Sequence, residues 1–138
     1  MSDLIVENGI SIVVLAEYSA NIDELIALLG VHGVSMKRIP TIGCDRISML
    51  ADKQVCFEPQ LQTDRASFQI IDKNIILCGI HLNSQIYAGN VERRKIDIEL
   101  IIENTIALEN SIKTKNTIIV GDFNINPYDE RGFGYDGG

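Results

Sequence analysis

The sequence predicts an α/β fold in which mixed β-sheets carry helices on their outer surfaces. Apolar runs rich in Ile, Val and Leu, typical of buried strands, occur at residues 10–16, 75–80 and 117–120. Two segments with apolar residues at helical spacing separate these runs. A turn sequence, Asp72-Lys73-Asn74, lies between two apolar stretches and predicts a hairpin. Strands that alternate with helices, some joined by hairpins, favour an α/β architecture.

The first strand and helix are well marked. Residues 10–16 predict a buried strand with the charged Glu17 at its exit. Asn21 is a suitable helix N-cap, and Glu24 follows at the spacing of a capping box. The predicted helix places four apolar residues on one face: Ile22, Leu25, Ile26 and Leu29. Gly30 fits the position just beyond its end.

The middle of the chain contains short elements. Residues 31–43 predict a loop and a short strand, in which Pro40 excludes a central position in a sheet. Residues 47–50 and 55–57 predict two short strands around a turn at Asp52-Lys53.

The longest helix is predicted over residues 90–110, and glycine-rich residues 131–138 predict a loop or frayed end. The apolar stripe of this helix consists of Val91, Ile98, Ile101, Ile102, Thr105 and Leu108. We expect Arg93 and Arg94, at the start of the helix, to be solvated charges.

The composition is that of one globular domain spanning residues 1–138. The chain is 46% apolar and 22% charged, and its length is typical of a single core. The formal net charge is −7, and the chain has no cluster of basic residues beyond Arg93-Arg94-Lys95. Strong non-specific binding to duplex nucleic acid is therefore disfavoured without a metal. A small phosphate ester agrees with this charge as well as DNA does.

The cysteines and the N-terminus favour a cytoplasmic protein. Cys44, Cys56 and Cys78 are odd in number and widely spaced, which predicts a reducing compartment rather than a disulfide framework. Cys78 falls within an apolar strand and is predicted to be a core residue. The N-terminus has no basic segment typical of a signal peptide, and no apolar run approaches the roughly 20 residues of a membrane helix.

The segment from Thr117 to Pro127 is the most informative part of the chain. An apolar run ends in Gly121-Asp122, and Asn124 and Pro127 follow. If the strand continues, the side chains of Asp122 and Asn124 leave on the same face, about 7 Å apart. A carboxylate can hold a hard cation or orient a water molecule, and an amide can donate to a phosphoryl oxygen. This pattern indicates metal-assisted phosphate chemistry.

Three other interpretations of this segment can be compared with its residues. A calcium-binding EF-hand loop is excluded, because Pro127 and Phe133 stand where that loop requires Gly and Glu. A protein-kinase motif is excluded, because Asn124 replaces the Gly of that motif. A polar turn at the end of a strand, in which Asp and Asn bond their own backbone, stays open.

Gly121-Asp122-Phe123-Asn124, followed by Pro127, resembles the signature of the endonuclease/exonuclease/phosphatase family, the deoxyribonuclease I-like hydrolases. Residues 11–17 resemble the family's early strand, which ends in a metal-binding glutamate. Residues 75–84 resemble its strand ending in His-Leu and a small polar residue. The resemblance implies a four-layer α/β sandwich, with two mixed sheets face to face and helices outside. It also implies hydrolysis of phosphate esters, nucleic acid among them, with Mg²⁺ or Mn²⁺.

The resemblance also implies roles for individual residues. Glu17 matches the glutamate that holds the metal, and Asp122 matches the residue that orients or deprotonates the attacking water. Asn124 would bond a phosphate oxygen, and His81 would bind the phosphate or transfer a proton. Weaker secondary candidates are Asn83, Ser84 and Asn126, while His32 is expected to be a surface loop residue.

The resemblance covers nearly all of the 138 residues but only about the first half of a family domain. Family members end in an Asp-His pair, whereas no histidine follows His81 here. An Asn on the family's first strand also has no counterpart. We therefore expect the chain to be part of a larger catalytic domain, or to dimerise to cover an exposed sheet. The alternative is a catalytically inactive, truncated relic or interaction module of the same fold.

Overall fold

The computed structural model describes residues 10–18, 20–82 and 90–124. For residues 90 and 91 it describes the backbone only. The described residues form seven strands and two helices. In chain order they are β1 (Ile12–Ala16), α1 (Ile22–Val31), β2 (Met36–Ile39), β3 (Ile47–Asp52), β4 (Phe57–Gln62), β5 (Ala66–Ile71), β6 (Ile75–His81), α2 (Asn90–Ile112) and β7 (Thr117–Asp122).

The strands form two sheets, so the predicted mixed α/β class is confirmed. The first sheet has the order β1-β3-β2 and is antiparallel throughout. The second has the order β4-β5-β6-β7, in which only β6 and β7 are parallel. The connection between these parallel strands contains α2, as a parallel pair requires a crossover.

One part of the core contains side chains from both sheets. Its buried members are Ile39, Cys44, Ile47, Met49, Ala51, Ile71 and Leu77. Gly79 allows the sheets to approach, because a Cβ at this position would lie 2.7 Å from Met49 Cε and 3.0 Å from Val14 Cγ1. The two sheets therefore pack face to face through closely fitted side chains.

Each helix packs against one of the sheets. The cluster that contains α1 consists of Leu15, Ile22, Leu25, Leu29, Met36 and Leu50. The cluster that contains α2 consists of Ala66, Phe68, Ile76, Cys78, Ile80, Leu82 and Ile101. Cys78 is thus a core residue as predicted, and burial raises the pKa of its thiol to about 12. Alternate residues of β6 face α2 and the first sheet, which is the two-residue period of a strand.

The start of α1 was predicted correctly, but its end was not. The Asn21 side chain accepts hydrogen bonds from the backbone N–H groups of Asp23 and Glu24. The helix continues through Gly30, and the left-handed residue after it is Gly33, with φ of 81°. Gly33 N donates to Gly30 O and Val34 N donates to Leu29 O, at 3.1 and 2.9 Å. These two bonds form a Schellman motif, in which the left-handed residue lies just beyond the end of the helix. Gly33 occupies that position, which was predicted for Gly30.

The buried face of α2 differs from the predicted stripe. Arg94, Ile101 and Thr105 are buried, whereas Ile102 is half exposed. These buried residues are spaced by seven and four, so they share a face, while Ile102 lies about 100° away around the helix. The prediction that Arg94 is a solvated charge is therefore wrong.

The apolar runs at both ends of the chain are less buried than predicted. In β7 no residue is fully buried, and Ile118 and Ile119 are 51% and 37% exposed. In β1 only Leu15 is buried. Both lie at the edge of their sheet, with one neighbouring strand each among the described residues. The prediction that the last strand is buried is therefore wrong for the structure described.

Other local predictions can be compared directly. The hairpin of β5 and β6 is confirmed, and its turn residues Asp72 and Lys73 have positive φ. β3 and β4 are longer than predicted and lie in different sheets. His32 is exposed, as expected. None of the described helices combines the length and apolarity needed to cross a membrane. The predictions for Asn83, Ser84, Asn126, Pro127 and residues 131–138 lie outside the described residues.

Candidate active site

Three of the predicted site residues meet at one end of the two sheets. Glu17 follows β1, and His81 and Asp122 are the last residues of β6 and β7. His81 Nε2 lies 3.4 Å from Glu17 Oε2 and 3.6 Å from Asp122 Oδ2. His81 and Asp122 are register partners, so their side chains leave the sheet on the same face. The packing of the first sheet on this face brings Glu17 to them.

Glu17 is held in an uncommon backbone conformation. Its φ is 51°, in the left-handed region that few residues other than Gly adopt. Its N–H donates to Arg46 O at 2.8 Å, and its Oε1 accepts a hydrogen bond from Arg46 Nη1 at 3.1 Å. Such strain persists only where surrounding contacts hold it, and it is concentrated at functional sites. Arg46 therefore orients both the backbone and the carboxylate of Glu17.

His81 is buried, with 6% of its surface exposed. Its backbone N–H donates to Arg65 O at 2.9 Å, which ties it to the β4–β5 turn. Nε2 must carry a hydrogen for its contacts to be favourable, because ionised carboxylates only accept hydrogen bonds. Both contacts are longer than the usual 2.7–3.2 Å of a direct hydrogen bond. Nδ1 is buried and has no hydrogen-bond partner among the described residues.

Asn124 is placed by a turn rather than by a continued strand. β7 ends at Asp122, and Asn124 has φ of 48°. Its N–H donates to Asp122 Oδ1 at 2.9 Å, and its Nδ2 donates to Leu82 O at 2.6 Å. The geometry is that of a polar turn, the interpretation that the sequence left open. One hydrogen of Nδ2 is used in this contact, and the second has no hydrogen-bond partner among the described residues.

The position of Gly121 can be occupied only by glycine, for a structural reason that is separate from the resemblance to a motif. Its φ is 143°, and a Cβ at this position would collide with the backbone of Ile80 on the adjacent strand. Only glycine avoids this clash. Gly121 thus allows Asp122 to lie beside His81.

Sequence reasoning did not identify Arg46 or Asp64 near the site, and it expected Arg94 to be a solvated charge. Arg46 Nε lies 3.8 Å from Asp64 Oδ1, and Asp64 Oδ2 lies 3.6 Å from Arg65 Nε. Arg94 Nη2 donates to Phe123 O at 3.4 Å. Arg46 and Asp64 lie in connections that carry no sequence signal. Arg94 was detectable, because it lies seven residues before Ile101 and therefore on the same helical face.

The donor set suits a hard cation such as Mg²⁺. The side chains of Glu17 and Asp122 are 56% and 48% exposed, so a hydrated ion can reach their oxygens. Within the described ranges, no group of three or more His, Cys, Asp or Glu side chains is arranged to hold a metal. Mg²⁺ needs only one or two carboxylates because it keeps several waters, so this finding does not count against it. Binding at Glu17 would compete with the ion pair to Arg46.

Comparison of the chain with models of known protein families finds no match, and comparison with curated proteins finds none either.

Proposed function

We propose that the chain belongs to the endonuclease/exonuclease/phosphatase family and is a divalent-metal-dependent phosphoesterase. The substrates would be phosphodiesters or phosphomonoesters, nucleic acid among them. The observation that carries the proposal is the convergence of Glu17, His81 and Asp122 around one imidazole nitrogen. The three residues come from separate segments, and each was selected for its own resemblance to a family motif.

The proposal includes the family's four-layer sandwich, of which this chain would supply part. Three apolar clusters support it. They join α1 to the first sheet, the first sheet to the second, and the second sheet to α2. This order of contacts is expected of helices packed outside two facing sheets.

Each site residue has a role that its geometry permits. The Glu17 carboxylate would hold the cation, and Asp122 would accept a proton from the attacking water. The Nε2–H of His81 would bond a phosphate oxygen, since Nε2 lies 3.4 and 3.6 Å from oxygens of the two carboxylates. The second hydrogen of Asn124 Nδ2 would bond another phosphate oxygen.

Electrostatics explains why a cation belongs to the proposal. Two carboxylates beside a phosphate repel it, and the whole chain carries a net charge of −7. Bound Mg²⁺ or Mn²⁺ would offset this repulsion and the charge that develops on the phosphoryl oxygens. Arg46 is already paired with Glu17 and Asp64, which limits its contribution to binding a phosphate.

The test is hydrolysis of bis-nitrophenyl phosphate, with nicking of supercoiled plasmid in parallel. Each assay is run with Mg²⁺, with Mn²⁺ and with EDTA. We expect metal-dependent turnover that falls by about 100-fold or more in Asp122→Asn and in Glu17→Gln, the range for lost acid–base or electrostatic groups. Both changes preserve side-chain size, so folding should be little affected.

Glu58→Gln provides the matched control, because Glu58 is an exposed carboxylate on β4. This variant should turn over at the wild-type rate. Equal loss in all three variants, or activity that persists in EDTA, would contradict the proposed site.

A second candidate function is a non-catalytic interaction module of the same fold. The exposed Ile118 and Ile119 on edge strand β7 favour it, because an open apolar edge can pair with another strand. A second copy of the chain, or further strands of a longer protein, would supply that strand. Absence of turnover from folded wild-type protein, together with association through β7, would support this function.

A further inference from the structure

Arg94 is a buried charge that the proposed chemistry does not use. It is 4% exposed, and no other Asp, Glu, Lys or Arg side chain in the described ranges is buried. Its sequence neighbour on α2, Arg93, is exposed. Arginine is rarely buried unless its charge is paired or hydrogen-bonded, since desolvation of the guanidinium is costly. The position of Arg94 therefore calls for a specific explanation.

The guanidinium reaches the turn that follows β7. Nη2 donates to Phe123 O at 3.4 Å, and Phe123 lies between Asp122 and Asn124 in the chain. Nε is buried and has no hydrogen-bond partner among the described residues. Arg94 thus places a buried positive charge against the backbone that joins two proposed site residues.

The other contacts of this turn come from a different direction. Leu82 N donates to Asp122 O at 2.9 Å, and Asn124 Nδ2 donates to Leu82 O. These bonds join the turn to the end of β6, whereas Arg94 joins it to α2. The carbonyl of Phe123 belongs to the peptide unit that carries the Asn124 N–H. Fixing that carbonyl therefore fixes the direction of the N–H, which donates to Asp122 Oδ1.

We propose that Arg94 is a positioning residue, which holds residues 122–124 from the side of α2 so that Asp122 and Asn124 keep their orientations. The effect on turnover rests on the proposed function, but the effect on the turn does not. A residue that supports site geometry from behind acts through the groups that touch substrate.

The test compares Arg94→Met and Arg94→Lys with the matched control Arg93→Met. The first measurement is hydrogen exchange by NMR at the backbone N–H groups of Leu82 and Asn124, with Ile76 and Ile101 as references. In Arg94→Met we expect the Leu82 and Asn124 groups to exchange about tenfold faster or more, because only the local turn opens. The reference groups should stay unchanged, and Arg94→Lys should give an intermediate result.

The second measurement separates kcat from KM for bis-nitrophenyl phosphate. In Arg94→Met we expect kcat to fall by about 10- to 100-fold, as found for residues that support ligands from behind, with KM little changed. Arg94→Lys should recover part of this loss because it keeps a donor and a charge. Arg93→Met should match the wild type in both measurements.

Three results would overturn the proposal. They are unchanged exchange at Leu82 and Asn124, exchange that rises equally at the reference groups, and wild-type kcat in Arg94→Met. If the wild type itself shows no turnover, the proposed function fails, and the exchange data alone decide the positioning role. Should Arg94→Met fail to fold, Arg94→Lys carries both measurements.

Discussion

Strands β6 and β7 are adjacent and parallel, and their sequences are similar, yet their surroundings differ. Each contains an apolar run and, near its end, a glycine. The last residue of each strand is a proposed site residue, His81 in β6 and Asp122 in β7. In β6 every residue after Ile75 is buried. In β7 no residue is buried.

The difference follows from the place of each strand in the fold. β6 has a strand on both sides, α2 on one face and the first sheet on the other. Within the part of the chain that the structure describes, β7 has a neighbouring strand on one side only. Composition is thus a reliable indicator that a segment is a strand, but not of how deeply the strand is buried.

The sharpest test of this comparison replaces one isoleucine in each strand. Ile76→Ala removes a fully buried side chain, and we expect a loss of about 2–5 kcal/mol in the free energy of unfolding. Ile118→Ala removes a half-exposed side chain, and we expect a loss of about 1 kcal/mol or less. Urea unfolding curves measure both. Equal losses would mean that β7 is covered as fully as β6 in solution.

A second test concerns the close approach of the β7 backbone to the β6 backbone at Gly121. Gly121→Ala adds a methyl group against the Ile80 backbone at a φ that favours glycine. We expect a loss of about 2–3 kcal/mol in the free energy of unfolding, from strain and overpacking.

Gly30→Ala is the control for this substitution. Gly30 lies in α1 with open space around it, so alanine there should raise the free energy of unfolding by about 0.5 kcal/mol. Wild-type stability in Gly121→Ala would contradict the close approach of β6 and β7.

A third test concerns the open edge of β7. If Ile118 and Ile119 are covered by a second copy of the chain, Ile118→Lys should weaken self-association about tenfold or more, because a buried ammonium is costly. Leu28→Lys, at a similarly exposed position on α1, should have no effect. Sedimentation velocity over a range of concentrations measures both. A wild-type protein that stays monomeric would argue against self-association through this edge.

Local structure was predictable wherever neighbouring residues in the chain decide it. Asn21 caps α1 because its side chain reaches the N–H groups two and three residues ahead. The turn at residues 72–74 follows from residue types that tolerate positive φ. The strand ends at Glu17, His81 and Asp122 were predictable because an apolar run followed by a polar residue is a local pattern, whereas their choice as site residues rests on the family resemblance.

Features that depend on distant contacts were not predictable in the same way. The end of α1 was predicted in the wrong place because either Gly30 or Gly33 could be the left-handed residue that ends the helix. In the structure this residue is Gly33, and the next residue, Val34, packs against the α1 cluster. The sequence left open whether Asn124 continues the strand or lies in a polar turn, and the bonds to Asp122 and to the distant Leu82 place it in the turn. No local pattern indicates that Arg46 orients Glu17, since the two residues meet only through the pairing of β1 with β3.

The sequence by itself determined the mixed α/β class, the hairpin, the helix start and the three strand-end residues, because each depends on the order of residue types over a few positions. The tertiary structure alone decided that β6 is central and β7 is an edge among the described strands, that Arg46 orients Glu17, and that Glu17 lies beside His81 and Asp122. These outcomes depend on which strands pair and which faces pack. Such choices are made between segments far apart in the chain, where local propensity has no influence.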